Sequence, residues 1–207
     1  MRAGPTGPLQ FSPLDLAQEA WKFQQRLSEG MRTLGQLPPD VHYGATEREE
    51  VWRDGKTVLY RFVGYKPATG PALLIVYALV NRPYMVDLQH DRSLVKGLLA
   101  LGMDVYVLDW GYPDRSDRYL TLDDYINRFI DGAVDHLAEA TGGPVNLLGV
   151  CQGGAFSLCY SALHPEKVRN LLTMVTPVDF QTEDNMLSSW VRDVDVDLFV
   201  DALGNVP

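Results

Sequence analysis

The sequence predicts an α/β fold: a mostly parallel sheet covered by helices on both faces. Short and almost wholly apolar segments, typical of buried parallel strands, alternate with segments of helical periodicity. Three of these strand segments are "ALLIVYAL" (72–79), "DVYVLDW" (104–110) and "VNLLGV" (145–150). The third runs directly into "GVCQGG" (149–154), a glycine-rich turn that leads from a strand into a helix. Because parallel strands are joined by crossover helices, the alternation indicates a single sheet.

Composition, charge and length limit the kinds of protein that the sequence can encode. Its 207 residues suffice for one domain or most of one, and 46% of them are hydrophobic and 22% charged, as in ordinary globular proteins. The net charge of −9 argues against a nucleic-acid partner, whose phosphates would be repelled. No apolar run is long enough to span a membrane, and "MRAGPTGPLQF" at the amino terminus lacks the apolar part of a signal peptide. We therefore expect a cytoplasmic protein with no transmembrane segment.

Residues 1–40 are predicted to form a Gly/Pro-rich lead-in and one amphipathic helix. Ser12 is a typical helix cap, and Pro13 is a typical first helical residue. Apolar residues recur at helical spacing from there to Gly35. They are Leu14, Ala17, Trp21, Leu27, Met31 and Leu34. This apolar face has two interpretations: it packs on its own domain, or it docks against a partner chain.

Residues 41–180 are predicted to form the core of the fold, with six strands. Asp54-Gly55 is a typical hairpin turn between the first two strands. The sixth strand is "VRNLLTMV" (168–175), which we expect to be an apolar strand at an open edge of the sheet. Residues 181–207 are expected to begin a cap over the site, and the fold is expected to be incomplete at its carboxyl terminus.

Two helices are predicted between these strands on capping signals and periodicity. "SLVKGLLALG" (93–102) predicts a short helix that ends at its last glycine. Residues 121–143 predict one long amphipathic helix with Thr121 as its cap. Each of them follows a predicted strand and precedes another, as a crossover connection requires.

The segment 149–153 has the form of the G-x-S-x-G nucleophile elbow, with Cys151 in the position of the serine. An elbow must follow a strand and open a helix, and both conditions hold, which refines the prediction to an α/β-hydrolase fold. Gly149 and Gly153 would let the two backbones pass closely, and the helix dipole would favour the thiolate. The alternative for Cys151 is a buried, inert thiol. Cys159, two turns further along the helix, is interpreted as a core residue.

The oxyanion hole of this fold takes one backbone N–H from the residue after the nucleophile and one from the loop after the third strand. These donors correspond to Gln152 and to the region Val80-Asn81, with Val80 as the candidate. The side chain of Asn81 has the alternative of simply forming a turn.

A thiol in the place of a serine indicates the type of chemistry. A cysteine forms a thioester, and exchange between two thioesters is nearly balanced in free energy, so that an acyl group can be loaded, held and passed on. A thiol also leaves a carbonyl more readily than an alcohol does. The elbow therefore favours acyl transfer from a thioester donor, with hydrolysis as the second possibility.

Several segments well beyond the elbow are also distinctive. They are "PALLIVYALVNRPYMVDLQ", "DRSLVKGLLALGMDVYVLDWGYPDRSDR", "LTLDDYIN", "VNLLGVCQGGAFSLCYSALHPEKVRNLLTMVTPVDF" and "VRDVDVDLFVDALGN". These segments resemble the catalytic subunit of class III poly(R)-3-hydroxyalkanoate synthases. The resemblance covers residues 40–207, and it extends to the amino-terminal helix, since this class lacks a longer amino-terminal domain.

The resemblance implies an acyltransferase that polymerises (R)-3-hydroxyacyl-CoA and releases coenzyme A. The growing polyester would be held as a thioester on Cys151. It implies no cofactor and no metal, since coenzyme A enters as part of the substrate. It also implies a second, non-catalytic subunit, an oligomeric enzyme, and a location in the cytoplasm at the surface of polyester granules.

The family also uses an aspartate and a histidine far downstream of the cysteine, and neither motif occurs between Cys151 and residue 207. We therefore expect a chain that is truncated at its carboxyl end and carries the nucleophile without its base. Local residues are poor substitutes, since His164 would lie roughly 20 Å away at the far end of the helix. The other residues considered and disfavoured are His42, His90, His136 and Asp179.

Two acidic segments are interpreted as structural. "DVDVDLFVD" (193–201) lacks the glycine and glutamate of a calcium-binding loop, and it is expected to be a solvated acidic face alternating with buried valines. "DWGYPD" (109–114) is expected to turn the chain after a strand, with a role for Asp114 near the site left open.

Two other functions compete with the synthase hypothesis. One is a thiol hydrolase that acts on esters or thioesters, with water as the acceptor. The other is a non-catalytic fragment that binds the partner subunit, in which case residues 12–35 would form the binding helix.

Overall fold

A six-stranded, mostly parallel sheet organises the larger part of the chain in a computed structural model, which describes residues 12–36, 43–44, 46–180, 186–192 and 194–204. The chain divides into two compact units, Met1–Val41 and His42–Pro207. The strands, in chain order, are β1 (Arg48–Asp54), β2 (Thr57–Phe62), β3 (Ala72–Val76), β4 (Asp87–Gln89), β5 (Arg92–Ser93), β6 (Asp104–Asp109), β7 (Val145–Val150) and β8 (Val168–Met174).

The main sheet has the strand order β1-β2-β6-β3-β7-β8, and β4 pairs with β5 in a separate two-stranded sheet. β1 and β2 form an antiparallel hairpin, and β2 also runs antiparallel to β6. β6, β3, β7 and β8 are parallel to one another, so their carboxyl ends meet at one edge of the sheet. That edge is where ligands bind in open α/β sheets.

Helices cover both faces of this sheet. The α-helices are α1 (Pro13–Gly35), α2 (Leu94–Ala100), α3 (Asp131–Thr141), α4 (Gln152–Leu163), α5 (Met186–Val191) and α6 (Val196–Leu203). Shorter helical segments have 3-10 geometry at Pro83–Val86, Arg115–Tyr119 and Pro165–Lys167, and π geometry at Asp124–Ile130. α3 and α4 contact one face, and α2 contacts β6. Each face has its own apolar core, one around Ile130 and Leu147 and the other around Ile75 and Val95.

Most of the predicted elements are confirmed, with shifted boundaries. The predicted strand at 72–79 ends at Val76, because the next residues turn into the loop at the carboxyl edge. Thr121 caps the long helix as predicted: its backbone N–H donates to Asp124, whose own N–H donates back to the threonine hydroxyl. The helix is nevertheless wound as a π-helix over Asp124–Ile130. The sequence pattern also gave no indication of the β4–β5 sheet.

The unit Met1–Val41 contains α1, whose described side chains are all exposed. The helix begins at Pro13 as predicted, but the Ser12 side chain makes no capping hydrogen bond. Large apolar side chains recur on it, including Trp21, Phe23 and Leu34. Packing on its own domain and docking to a partner both stay predictions for this face.

β8 forms one edge of the main sheet, and most of its side chains are exposed. Leu172 is 53% exposed and Met174 is 40% exposed, so both apolar side chains lie largely in solvent. An apolar strand edge of this kind is available for pairing with another strand.

The acidic segment near the end of the chain differs from its prediction. Asp195 caps α6, and its side chain accepts a hydrogen bond from the backbone N–H of Leu198. Val194 and Val196 are exposed, so the expected buried valines are wrong, because a helix start replaces the extended alternation. Asp193 lies outside the described residues.

None of the helices in the described ranges is both long enough and apolar enough to cross a membrane.

Candidate active site

Cys151 lies at the junction between β7 and α4, at the carboxyl edge of the sheet, where the sequence predicts it. The strand ends at Val150 and the helix begins at Gln152, so Cys151 is the only residue between them. Its side chain is exposed, which excludes the alternative of a buried thiol. Its backbone N–H donates to the carbonyl of Met174 at 2.9 Å and so ties the turn to the end of β8.

Three glycines around the turn lie where no side chain would fit. A Cβ on Gly149 would lie 2.5 Å from the Cα of Gly154, and one on Gly153 would meet the carbonyls of Val76 and Tyr77. One on Gly154 would collide with Thr176. The sequence predicted the first two of these close approaches, but it missed the third. The glycines therefore bring α4 into contact with the ends of β3 and β7.

Backbone strain is concentrated at this edge. Among the described residues other than glycine, φ is positive at Asn81 (71°), Cys151 (55°) and Val175 (49°). Each of these residues follows the carboxyl end of a parallel strand: β3, β7 or β8. Positive φ costs on the order of 1–3 kcal/mol in a residue with a Cβ, and such residues cluster at functional sites. The strain therefore marks the same edge as the elbow does.

Substitution by glycine usually lowers the stability of a protein, but the backbone strain at Cys151 predicts the opposite effect at this position. Cys151→Gly is expected to raise the free energy of unfolding by roughly 1 kcal/mol, because glycine adopts φ 55° without the Cβ clash. Cys159→Gly is the matched control, since this second exposed cysteine lies inside α4. There glycine is expected to cost about 1 kcal/mol. Urea unfolding measures both, and equal losses of stability would contradict a strained turn.

Gln152 connects the elbow to the loop after β3. Its side-chain Oε1 accepts a hydrogen bond of 3.1 Å from the backbone N–H of Leu79. The backbone N–H of Gln152 lies in the first turn of α4, where an N–H group has no partner within the helix. This bond uses the Leu79 N–H, which is therefore not available as an oxyanion donor. Val80 is the next residue of the loop, and it is 70% exposed. The two predicted oxyanion residues thus belong to segments that are hydrogen-bonded to each other.

Aromatic side chains pack beneath this loop. The indole N–H of Trp110 donates to the carbonyl of Tyr77 at 3.0 Å, and its ring makes edge contacts with Tyr125 and Phe156. Burial raises the pKa of Tyr77, and the charge of Cys151 adds to that effect. Tyr77 is thus a titratable neighbour of the cysteine that the sequence analysis missed. Its only signal is its position directly after a buried strand.

Two polar anchors hold the segment that continues from the loop. Arg82 donates from Nη1 to the carbonyl of Gly111 at 2.6 Å and so joins the loops after β3 and β6. Asp87 is fully buried and accepts hydrogen bonds from the backbone N–H and hydroxyl of Thr46 and from the hydroxyl of Ser93. Ser93 in turn caps α2. These contacts fix the backbone on which Val80 is carried.

Removing the buried anchor is expected to be costly. Asp87→Ala should lower the free energy of unfolding by about 2–4 kcal/mol, because three partly buried donors lose the buried carboxylate that accepts from them. Asp91→Ala removes the same charge from an exposed turn between β4 and β5, and it should change stability by less than about 0.5 kcal/mol. Chemical denaturation compares them. Similar losses for the two variants would show that net charge matters and the buried contacts do not.

The described histidines lie on elements other than the elbow turn. His164 lies at the far end of α4, where its ring nitrogen is 2.9 Å from the side-chain oxygen of Asn127. His90 is exposed in the turn after β4, and His136 is partly buried on α3. Within the described ranges, no hydrogen bond joins any side chain to the Cys151 sulfur. Asp179 is exposed after β8, and His42 lies outside the described residues.

Two further expectations are settled by position. Cys159 is exposed, so its interpretation as a core residue is wrong: the helix buries its opposite face, with Phe156 and Tyr160, against the sheet. Asp114 caps the 3-10 helix Arg115–Tyr119 and forms an ion pair with Lys56. Hydrogen bonds from Lys56 and then from Ser116 lower the pKa of Asp114. Asp114 is therefore part of a surface turn.

The chain belongs to the α/β-hydrolase fold family, whose model matches residues 71–199. Solved structures with the same fold include the thioesterase domain from the curacin biosynthetic pathway (TM-score 0.52, 17% identity, 79% of this chain and 56% of that chain). Another is the Francisella virulence factor BioJ (TM-score 0.53, 15% identity, 79% of this chain and 53% of that chain). At these identities the likeness concerns the fold alone, and it confirms the predicted fold class.

Within this family, the chain is similar to a particular group of proteins over nearly its whole length. It is 57% identical over 204 residues to the poly(3-hydroxyalkanoate) polymerase subunit PhaC of Allochromatium vinosum, covering 97% of this chain and 57% of that protein. It is 48% identical over 199 residues to the PhaC subunit of Synechocystis, covering 91% and 52% of the two chains. The resemblance seen in the sequence is confirmed. The chain spans little more than half the length of these relatives.

Proposed function

We propose that this chain is the part of a polyhydroxyalkanoate polymerase that carries the acyl-accepting cysteine. In this proposal Cys151 takes a 3-hydroxyacyl group from a coenzyme A thioester and holds the growing polyester. The position of Cys151, exposed on a strained turn between β7 and α4, carries the proposal. The polymerase subunits that the chain resembles supply the substrate class.

The proposed acylation step exchanges one thioester for another. The Cys151 thiolate attacks the thioester carbonyl carbon, and a new C–S bond forms as the carbonyl oxygen takes the negative charge. The backbone N–H groups of Gln152 and Val80 are the proposed donors to that oxyanion. The bond to the coenzyme A sulfur then breaks, and the departing thiolate takes up a proton. Because one thioester is exchanged for another, the loaded cysteine remains able to pass its acyl group to a hydroxyl acceptor.

The proposal assigns no general base to a residue of this chain. The described histidines lie at the far end of α4, on α3 and in the turn after β4, and none of them is hydrogen-bonded to the Cys151 sulfur. Acylation by this chain alone is therefore expected to be slow, because the proposal includes no residue of this chain that takes up the thiol proton.

The partners proposed for the whole enzyme are a second, non-catalytic subunit, further copies of the enzyme, and the surface of cytoplasmic polyester granules. The exposed apolar side chains of α1, among them Trp21 and Phe23, support a docking role for that helix. Deletion of residues 1–40 is expected to abolish co-purification with the second subunit. If the second subunit still co-purifies after the deletion, α1 is not the docking helix.

The fate of the acyl group tests the proposed reaction. The chain is incubated with radiolabelled 3-hydroxybutyryl-CoA, and free coenzyme A, protein-bound label and free acid are each quantified. Coenzyme A release matched by label on the protein supports acyl transfer. Release matched entirely by free 3-hydroxybutyrate would indicate a thioesterase instead and would refute the polymerase assignment. No release at all would leave the chain as a non-catalytic, partner-binding piece.

A further inference from the structure

A cavity of about 390 Å³ lies beside the elbow's edge of the sheet, on the face covered by α2. It is lined by the β1–β2 hairpin and by the loops that follow β3 and β6. Its walls carry four cationic side chains and four tyrosines, in a protein whose net charge is −9. The cations are Arg48, Arg53, Lys56 and Arg82, and the tyrosines are Tyr43, Tyr60, Tyr84 and Tyr112.

Two of these arginines lie over tyrosine rings. The guanidinium carbon of Arg48 lies 4.1 Å from the ring centroid of Tyr60, and that of Arg82 lies 3.5 Å from the centroid of Tyr112. A cation–π contact uses the face of a guanidinium group, whereas the N–H donors lie in its plane. One donor of Arg82 is already used by the carbonyl of Gly111. A planar fork that is fixed in this way matches the paired oxygens of a phosphate.

The charges around the cavity differ in how far they are already neutralised. Arg53 pairs with Glu50, and Lys56 pairs with Asp114 and Asp117. Arg82 forms a longer ion pair of 3.6 Å with Asp109, which also lines the cavity, and it donates a hydrogen bond to the carbonyl of Gly111. Arg48 has no ion pair within the part of the chain that the structure describes. Among the described residues, Arg48 is thus the least neutralised of these cations, and Arg82 keeps N–H donors beyond the one that binds the carbonyl of Gly111.

The cavity lies at a distance from Cys151 that suits a long substrate. In the order β7-β3-β6-β2-β1, the cysteine follows β7, and the cavity extends from β6 to β1. Neighbouring strands are about 4.8 Å apart, so the two regions are separated by two to four strand spacings, roughly 10–20 Å. Coenzyme A likewise separates its thioester from its phosphates by an extended arm. Arg82 follows Val80 by two residues on the loop that joins the two regions.

We propose that this cavity binds the nucleotide phosphates of the coenzyme A thioester, with Arg48 and Arg82 as the phosphate-binding residues and the tyrosines as the surface for the base. This inference rests on the proposed function, because that proposal supplies the coenzyme A thioester as the acyl donor. The tyrosines favour a nucleotide over inorganic phosphate, since a purine offers them a stacking surface.

Calorimetric titration of the 207-residue chain with adenosine 3′,5′-bisphosphate tests the site without involving the thiol. Arg48→Gln is expected to weaken binding on the order of 10-fold, since it removes a charged donor pair. Arg92→Gln is the matched control, because it removes an exposed arginine of β5 that is absent from the cavity. Arg82→Lys keeps the charge and is expected to weaken binding through loss of the planar fork.

Equal affinity for Arg48→Gln and Arg92→Gln would overturn the site, and so would equal affinity of the parent for the bisphosphate and for adenosine. Inorganic pyrophosphate is the third probe. If it binds as tightly as the nucleotide, the cavity accepts free phosphates and the coenzyme assignment fails. Arg82 also donates a hydrogen bond to the carbonyl of Gly111, so its substitution affects folding as well as binding. If Arg82→Lys unfolds, the comparison of Arg48→Gln with Arg92→Gln decides the result.

Acylation with two donors separates this inference from the proposed function. Acyl-pantetheine has the thioester but no nucleotide, so Arg48→Gln should slow acylation by acyl-CoA and leave acylation by acyl-pantetheine unchanged. Equal effects on both donors would refute the site and leave the proposed function standing. Tight, Arg48-dependent binding of the bisphosphate without any acylation of Cys151 would support the site as a nucleotide-phosphate site and refute the proposed function.

Discussion

Gly153→Ala is expected to destabilise the protein by about 3 kcal/mol or more. The added Cβ would meet the carbonyl oxygens of Val76 and Tyr77, the latter at 2.6 Å. Both are backbone atoms at the end of β3, so the clash is not relieved by a change of rotamer. The helix must shift away from the sheet, and the turn that carries Cys151 must shift with it. Urea unfolding followed by circular dichroism measures the loss of stability.

Gly97→Ala is the matched control for that substitution. Gly97 lies within α2, and an added Cβ would have no neighbour within 4 Å. Alanine is therefore expected to stabilise the protein by roughly 0.5–1 kcal/mol through its higher helix propensity. The two identical chemical changes should thus have opposite signs. Tolerance of alanine at both positions would contradict the close approach of α4 to β3.

Cys151→Ala is expected to reduce labelling by a radioactive 3-hydroxyacyl-CoA on the order of 100-fold or more, because the substitution removes the atom that accepts the acyl group. The exposed Cys159 provides an unusually close control, since both cysteines belong to the same strand–helix segment. Cys159→Ala should label at the rate of the parent. Label that survives in Cys151→Ala and is lost in Cys159→Ala would place the chemistry on the helix surface and away from the elbow.

The sheet was accessible to sequence analysis because each central strand is a short apolar run between recognisable turns. The elbow was accessible because its glycines are required by the close contact of two backbones, which any sequence with this turn must satisfy. The fit of Gly154 against Thr176 was not, because it depends on where the chain passes after β8. The same holds for the Gln152 side chain, whose partner on Leu79 is distant in sequence.

Errors arose where apolarity was taken to mean burial. Cys159 lies on an apolar helix, but Leu158 and Leu163 on that helix are also exposed, because only the opposite face meets the sheet. Periodicity identifies such a face only when one side of a helix is polar, and α4 is apolar on most sides. Val194 and Val196 were misread for a related reason: alternation over a few residues resembles a strand even where Asp195 caps a helix.

The anchors Asp87 and Arg82 illustrate what a single sequence does not reveal about a site. Asp87 joins residues from three separate segments, and nothing in its neighbourhood along the chain indicates burial. Arg82 supports the loop after β6 through a carbonyl, a group that every residue carries. Long-range polar contacts of this kind depend on the finished fold, whereas caps and turns depend on neighbours in sequence.

Peptide mapping of the acylated parent protein identifies the residue that accepts the acyl group. The chain is incubated briefly with 3-hydroxybutyryl-CoA, quenched at acidic pH to preserve thioesters, digested and analysed by tandem mass spectrometry. We expect the 3-hydroxybutyryl mass on Cys151, with Cys159 unmodified. The modification on Cys159, or on a lysine or serine with Cys151 free, would contradict it.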